Sequence, residues 1–218
     1  MVKDIPELIR RFEDDFSSED RVVGVGAMIL QGGKFLSVLE KKDYWDRGEI
    51  TRISYQNVGG QVEEGESVYE ALRREASEEI DCGLEIKDSQ ETVLTDVDGS
   101  WRKVGLEEET SPVLVSREKH DGKPGRPDAE GNWYLLGFLF RGEVKGTPEP
   151  SREVPALATL SEGLLKKREF TKKQLVEEAG ELIEKEPIPA DARFYPKFSM
   201  KQLLDYRDIL PVERFLTD

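Results

Sequence analysis

Three glutamates stand at spacings that place them side by side on one edge of a predicted helix. Glu75, Glu78 and Glu79 occupy positions i, i+3 and i+4, which are neighbours on a helix surface. At about 100° per residue they fall beside the apolar arc that includes Val68 and Leu72, not opposite to it. Carboxylates at the margin of a buried face repel one another and lose hydration, so they need a cation or an arginine to compensate their charge. Arg74 lies one turn before Glu78 and can supply one partner, which leaves the rest to a metal ion. Because Mg²⁺ and Mn²⁺ prefer hard oxygen ligands, the spacing predicts a divalent-metal site.

The helix that would carry these acids has sequence signals at both ends. Ser67 is a preferred N-cap, and Glu70 three residues later completes a capping box. Residues 71–76 are mostly strong helix formers. Glycine favours the position just past a helix end, so Gly83 predicts that the helix stops within residues 81–83.

The competing interpretation is a solvated acidic face, because charge runs are usually solvated and the chain has a net charge of −14. Further residues at fixed spacings favour the site instead. Five residues separate a glycine from a glutamate, seven more precede an Arg-Glu pair, and two more precede a Glu-Glu pair: Gly60, Glu66, Arg74–Glu75 and Glu78–Glu79. This pattern resembles the signature of the Nudix hydrolase family.

Two positions depart from that signature. Ala76 stands where the family usually has a larger aliphatic residue. The closing glycine of the family pattern falls at Asp81, and Gly83 follows two residues later. Both departures lie on the packing side or at the C-terminal end of the helix. They therefore affect the exit of the helix more than the acid cluster.

The resemblance implies hydrolysis of a diphosphate linkage in a nucleoside diphosphate derivative, assisted by Mg²⁺ or Mn²⁺. It implies that Glu75, Glu78 and Glu79 bind the metal, with the backbone carbonyl of Gly59 as an added ligand. Glu75 or Glu79 would also position or deprotonate the attacking water. An anionic substrate would meet this acidic site through the metal.

Residues around the acid cluster receive supporting roles from the same resemblance. Arg74 is expected to assist catalysis by orienting Glu78 or a neighbouring acid, and Glu66 to brace the glycine loop and the metal ligands. Family members often take one more acidic ligand or base from a later loop. Glu149 and Glu153 lie in the corresponding region, although each is otherwise an ordinary solvated loop charge.

The substrate is less well indicated than the reaction. Bases commonly stack on aromatic rings, which makes Tyr55, Trp101 and Trp133 candidate substrate-binding residues. Core packing is the competing role for each. ADP-ribose or a nucleotide sugar is the first expectation, because the extended chain ends resemble larger family members, and a modified nucleoside triphosphate is the second. A non-catalytic nucleotide-binding or regulatory module of the same fold is the alternative function.

Composition excludes several other classes of protein. The net charge of −14 disfavours bulk nucleic-acid binding, which needs a basic face. No apolar run is long enough to span a membrane, and the N-terminus lacks the apolar core of a signal peptide. Cys82 is the single cysteine, which predicts a reducing compartment and a cytoplasmic location. His120 is the single histidine and lies in a predicted loop, so we interpret it as a surface residue.

Apolar patterning predicts an α/β protein with a mixed β-sheet between helical layers, the α/β/α sandwich that the resemblance implies. Predicted strands cover residues 21–30, 34–40, 51–58, 84–94, 101–104, 113–117, 133–140 and 156–160. Predicted helices cover residues 4–16, 67–80, 161–167, 171–184 and 199–206, with loops at 118–132 and 185–196. The expected organisation is an N-terminal helical extension at 1–19, the catalytic domain at 20–165, and a C-terminal helical extension at 166–218 packed on it. These extensions cap the domain, form a homodimer surface or shape the substrate pocket.

Overall fold

The computed structural model describes residues 3–17, 19–124 and 130–197, together with residues 200, 201 and 205. Four α-helices lie within the described residues: α1 (Ile5–Asp15), α2 (Val68–Ile80), α3 (Glu162–Leu165) and α4 (Lys172–Glu177). The strands are β1 (Asp20–Gln31), β2 (Lys34–Leu39), β3 (Asp46–Arg47), β4 (Thr51–Gln56), β5 (Val58–Gln61), β6 (Gly83–Lys87), β7 (Thr92–Thr95), β8 (Trp101–Val104), β9 (Leu114–Asp121), β10 (Asn132–Lys145), β11 (Ala156–Leu160), β12 (Phe170–Thr171), β13 (Glu181–Glu184) and β14 (Arg193–Pro196).

The described strands form one mixed sheet, whose main path is β12-β14-β4-β2-β1-β10-β9-β7-β8. Strand β10 is central in the sheet, because it pairs in parallel with β1 and antiparallel with β9 and β6. Its nearly continuous apolar run suits this buried position. Strand β5 pairs with the middle of β1 and carries the glycines that precede α2. The turn between β1 and β2 contains Gly32 and Gly33 with φ of +58° and +73°, the backbone conformation that a tight hairpin turn requires.

Two apolar cores lie on the two faces of this sheet. Successive residues of a strand point to opposite faces, so Ala27 and Ile29 join one core while Met28 joins the other. The first core includes the buried faces of α1 and α2, and the second includes Leu164 and Leu175 of α3 and α4. The predicted α/β/α arrangement with a mixed sheet is confirmed. No helix in the described part of the chain is both long and apolar enough to cross a membrane.

Two predicted elements in the middle of the chain need correction. The single strand predicted at 84–94 is two strands, β6 and β7, which lie in different parts of the sheet. The loop predicted at 118–132 begins as strand, because β9 continues to Asp121 and pairs with β10. Pairing with β10 thus keeps the polar end of β9 in the sheet. Polar residues give little strand signal in side-chain patterning, so the sequence predicted a loop there.

The segment after residue 166 contains more strand than predicted. The helix predicted at 171–184 ends at Glu177, since Ala179 has φ of +57° and the Gly180 N–H donates to the Leu175 carbonyl. Residues 181–184 then form β13, and the predicted connection at 185–196 contains β14. The helix predicted at 199–206 lies outside the described residues except for 200, 201 and 205. The division of the chain at residues 19 and 165 stays a prediction.

Candidate active site

The glycine pair of β5 creates the space in which the acid cluster sits. Gly59 and Gly60 pair with Gly26 and Val25 of β1. A Cβ on Gly59, whose φ is +152°, would lie 2.1 Å from the Val25 carbonyl oxygen. A Cβ on Gly60 would lie 2.2 Å from Oε1 of Glu75. The first glycine therefore permits close strand pairing, and the second leaves room for a carboxylate.

Helix α2 carries this carboxylate and has the predicted ends. The Ser67 hydroxyl accepts a hydrogen bond from the Glu70 N–H, and the Glu70 carboxylate accepts one from the Ser67 N–H at 2.8 Å, so the capping box is confirmed. The helix ends at Ile80. Asp81 then adopts the left-handed conformation, with φ of 48°, at the position where the family pattern has glycine.

Arg74 is the centre of the hydrogen bonding beneath the acids. Its guanidinium donates to Glu66 at 2.8 Å and 3.2 Å, to Glu75 at 2.8 Å, to Glu78 at 2.9 Å and to the Gln61 carbonyl at 2.9 Å. The Arg74 hydrogen bonds hold the pKa of Glu66 below its usual range. One arginine thus ties the glycine strand, the preceding loop and the helix together, which fits the orienting and bracing roles predicted for Arg74 and Glu66.

Glu79 is the most buried acid of the site, with 8% of its surface exposed. One of its carboxylate oxygens accepts a hydrogen bond from the Gly59 N–H at 2.9 Å. Burial raises the pKa of Glu79 to about 8, and the charges of Glu75 and Glu153 add to this effect. Burial likewise raises the pKa of Glu75. Both carboxylates lack full hydration, as expected for groups that need a cation beside them.

The loop that follows β10 docks on the C-terminal end of α2. The Ser151 hydroxyl donates to the Glu78 carbonyl, the Ser151 N–H to the Glu79 carbonyl at 3.1 Å, and the Glu149 N–H to the Ile80 carbonyl at 3.0 Å. These bonds satisfy carbonyls that a helix end leaves without partners. Sequence reasoning missed Ser151. The available signal was its position directly after Pro150, between the candidate acids Glu149 and Glu153.

Glu153 is the later acid that this docking brings to the cluster. Its charge raises the pKa of both Glu75 and Glu79. Glu153 also accepts a hydrogen bond from the Lys41 ammonium at 2.7 Å, a contact that sequence reasoning missed. Glu149 lines an open groove together with Glu78 and Glu153. Metal binding by Glu149 or by Glu153 stays a prediction.

The donor set has the chemistry of a site for a hard cation. Glu79 is buried and Glu75 is partly buried, and both offer carboxylate oxygens, the ligands that hard cations prefer. Within the described residues, however, no group of three or more acidic, histidine or cysteine side chains stands ready to hold a metal ion. Arg74 explains this arrangement, because it holds Glu75 and Glu78 by hydrogen bonds. A metal would have to draw these carboxylates away from the guanidinium.

The three candidate aromatic residues have different environments. Tyr55 is fully buried in the second core and is a packing residue in this structure, which corrects its assignment as a candidate for substrate contact. Trp101 lies on β8 at the end of the sheet path and is 48% exposed. Trp133 lines a cavity beside the glycine strand. Its ring stacks on that of His120, with 4.4 Å between the centroids. His120 lies in strand β9 and not in a surface loop, which corrects the prediction for this residue.

The cavity beside Trp133 has a volume of about 250 Å³ and shares Gly59 and Gly60 with the acid cluster. Its described lining is apolar or neutral, and the residues are Val22, Gly24, Val25, Gly26, Gln56, Asn57, Gly59, Gly60, Gln61, Trp133, Leu135, Gly137, Phe138 and Leu139. Glycines let a flat group approach the backbone, and the amides of Gln56 and Gln61 can both donate and accept hydrogen bonds. Such a lining suits an uncharged ring system better than a phosphate.

Comparison with known families agrees with this geometry. The model of the NUDIX domain family matches residues 20–185, which is more than half of the chain and includes the glycine strand, α2 and the docking loop. The chain belongs to the NUDIX domain family. The match supports the predicted enzyme class, a Nudix hydrolase, and extends beyond the predicted domain boundary at residue 165. No curated protein sequence matches the chain.

Several solved structures are similar to the chain at low sequence identity. A MutT NUDIX hydrolase from Burkholderia pseudomallei is 19% identical over 86% of this chain and 98% of its own, with a TM-score of 0.43. A MutT protein from Methanosarcina mazei Go1 is 16% identical over 90% and 96%, with a TM-score of 0.44. An ADP-ribose pyrophosphatase from Streptococcus suis 89-1591 is 15% identical over 64% and 73%, with a TM-score of 0.38. At these TM-scores the family assignment rests on the family model.

Proposed function

We propose that this protein hydrolyses the diphosphate linkage of a nucleoside diphosphate derivative with the help of Mg²⁺ or Mn²⁺. The observation that carries the proposal is the pair of dehydrated carboxylates, Glu75 and Glu79, held against Gly60 and Gly59. Buried carboxylates are unfavourable unless positive charge lies beside them; Arg74 supplies it for Glu75, whereas Glu79 accepts its hydrogen bond from the neutral Gly59 N–H. Within a Nudix domain, the reaction that fits this arrangement is hydrolysis of a diphosphate.

Each residue of the site has a part in this proposal. Glu75, Glu78 and Glu79 would hold the metal with the Gly59 carbonyl, and Glu75 or Glu79 would position or deprotonate water. Arg74 donates hydrogen bonds to Glu75 and Glu78 and would keep these acids in position. Glu66 fixes Arg74 from the loop side. A bound divalent cation supplies neutralisation of the diphosphate charge and acidification of water.

The cavity beside Trp133 would hold the uncharged ring of the substrate. Gly60 separates this cavity from the Glu75 carboxylate, so a ring in the cavity places an attached diphosphate near the acids. A nucleobase fits the neutral lining and can stack on Trp133. ADP-ribose and nucleotide sugars are therefore the first substrates to test, and modified nucleoside triphosphates the second. A homodimer and a cytoplasmic location remain predictions, the latter compatible with the buried free thiol of Cys82.

A hydrolysis screen tests the proposal. The panel holds ADP-ribose, nucleotide sugars, NADH, coenzyme A, dinucleoside polyphosphates, and ordinary and oxidised nucleoside triphosphates, each with Mg²⁺ and with Mn²⁺. Glu78→Gln serves as the matched blank, because it removes one charge from the cluster and leaves the shape of the side chain. We expect metal-dependent turnover of one substrate class that the variant loses. Ligand-induced stabilisation without turnover of any compound would instead identify a binding module.

A further inference from the structure

A lysine outside the family motif lies at the acid cluster and has no part in the roles assigned so far. Lys41 directly follows β2 and Glu40, and its ammonium donates to Glu153 at 2.7 Å. The charge of Glu79 acts on Lys41 together with that of Glu153. A residue from the loop after β2 thus meets the docking loop of α2 beside the buried carboxylate.

Phosphate oxygens that the metal does not contact need a second source of positive charge. Arg74 is poorly suited, because its guanidinium donates to three carboxylates and a backbone carbonyl and is three-quarters buried. Among the described residues Lys41 has one ion pair, with Glu153, and the two side chains are 54% and 50% exposed. Exposed ion pairs of this kind contribute little to stability, so the ammonium can exchange one anionic partner for another at little cost.

We propose that Lys41 is a substrate-binding residue that contacts the diphosphate, and that Glu153 holds it in place until substrate arrives. This proposal rests on the proposed function. When a diphosphate occupies the site, the Lys41 ammonium moves from Glu153 to a phosphate oxygen. Glu153 is then free to turn towards the other acids. The flexible four-carbon stem of lysine permits this movement without a change in the backbone.

The neighbouring lysine provides a matched control. Lys42 has the same charge but pairs with Glu186 at 2.5 Å and lies 5.8 Å from the centroid of the Trp45 ring. Lys42→Met therefore removes one positive charge from the same loop without touching Glu153. Lys41→Met removes the proposed contact, and Lys41→Arg restores a cation at the same place.

Two measurements test Lys41: steady-state kinetics on the substrate found by the screen, and calorimetric binding of inorganic pyrophosphate in the presence of Mn²⁺. We expect Lys41→Met to raise KM and the pyrophosphate Kd about tenfold, which corresponds to about 1.4 kcal/mol. We expect a smaller change in kcat, recovery to within about threefold in Lys41→Arg, and values close to wild type in Lys42→Met. The difference should shrink as ionic strength rises, since the pair is exposed.

The outcomes separate this inference from the proposed function. Active wild-type protein with equal KM and pyrophosphate Kd in both methionine variants would overturn the role of Lys41 and leave the hydrolase intact. Inactive wild-type protein whose Mn²⁺-dependent pyrophosphate binding weakens only in Lys41→Met would uphold Lys41 and overturn the hydrolase. Melting temperatures of the variants within a few degrees of wild type would confirm that folding is not the cause.

Discussion

Adding one methyl group to each glycine of β5 should separate folding from chemistry. In Gly60→Ala the new Cβ would lie 2.2, 2.5 and 2.8 Å from Oε1, Cδ and Oε2 of Glu75, all atoms at the end of a flexible side chain. Ordinary contact would require the carboxylate to retreat by at least about 1 Å. A misplacement of that size costs on the order of 100-fold in rate, or about 2.7 kcal/mol.

Gly59→Ala should act through the backbone instead. Its Cβ would lie 2.1 Å from the Val25 carbonyl oxygen and 2.6 Å from the Gly26 Cα, and the φ of +152° is strained for any residue with a side chain. Overpacking costs about 1–3 kcal/mol and such a φ adds roughly 1–3 kcal/mol. The sum is a large part of the roughly 5–15 kcal/mol that stabilises a domain.

Urea unfolding of the metal-free proteins and hydrolysis with Mg²⁺ together give the comparison. We expect Gly60→Ala to unfold within about 1 kcal/mol of wild type while kcat/KM falls about 100-fold. We expect Gly59→Ala to unfold at much lower urea or to be recovered as misfolded protein. Near-wild-type turnover by Gly60→Ala would refute the placement of Glu75 in the site. Equal destabilisation by both variants would refute the distinction between side-chain and backbone contact.

Four further variants test stability. Because the pKa of Glu79 is raised from 4.5 to about 8, the folded metal-free protein binds this proton more tightly than the unfolded chain does. The protonated carboxyl therefore contributes its full stabilisation below pH 4.5, and this stabilisation is lost as the pH rises to about 8, by up to ~1.4 kcal/mol per pH unit. Urea unfolding should show this fall in the wild-type protein and a flatter pH profile in Glu79→Gln. Asp81→Gly should raise the free energy of unfolding by about 1 kcal/mol, because glycine adopts the left-handed conformation of this cap without strain. An unchanged urea midpoint would argue against strain at Asp81. Among the described residues the buried Tyr55 hydroxyl has no hydrogen-bond partner, so Tyr55→Phe should stabilise the protein by roughly 1 kcal/mol. Tyr69→Phe should destabilise it, because the Tyr69 hydroxyl donates to the Thr110 carbonyl at 2.8 Å. A change in stability of the same sign in both variants would contradict these hydrogen-bond assignments.

Local signals made the acid helix predictable. The capping box at Ser67 and Glu70 and the spacing of Glu75, Glu78 and Glu79 depend on residues within a few turns of one another. Side-chain direction on a helix follows from sequence spacing alone. The long apolar strand β10 was predictable for a similar reason, since a continuous apolar run indicates burial on both faces.

Long-range contacts account for what the sequence did not reveal. The pairing of Lys41 with Glu153 joins residues 112 positions apart, and the Ser151 hydrogen bond to the Glu78 carbonyl joins residues 73 apart. Lys41 and Ser151 lie in polar loops, where no sequence pattern indicates which distant residue each of them will contact. Residues 181–184 were mistaken for helix because a short amphipathic segment fits both periods, and pairing with β11 decides the outcome.

A crystal of the protein soaked in Mn²⁺ would test the metal site most directly, because anomalous scattering locates the ion without an assay. We expect a peak about 2 Å from carboxylate oxygens of Glu75 and Glu79, with Glu75 and Glu78 withdrawn from Arg74. The same soak of Glu79→Gln should lose the peak. Acids that remain on Arg74, with no ion bound among them or with the ion bound elsewhere, would contradict the proposed metal-dependent hydrolase.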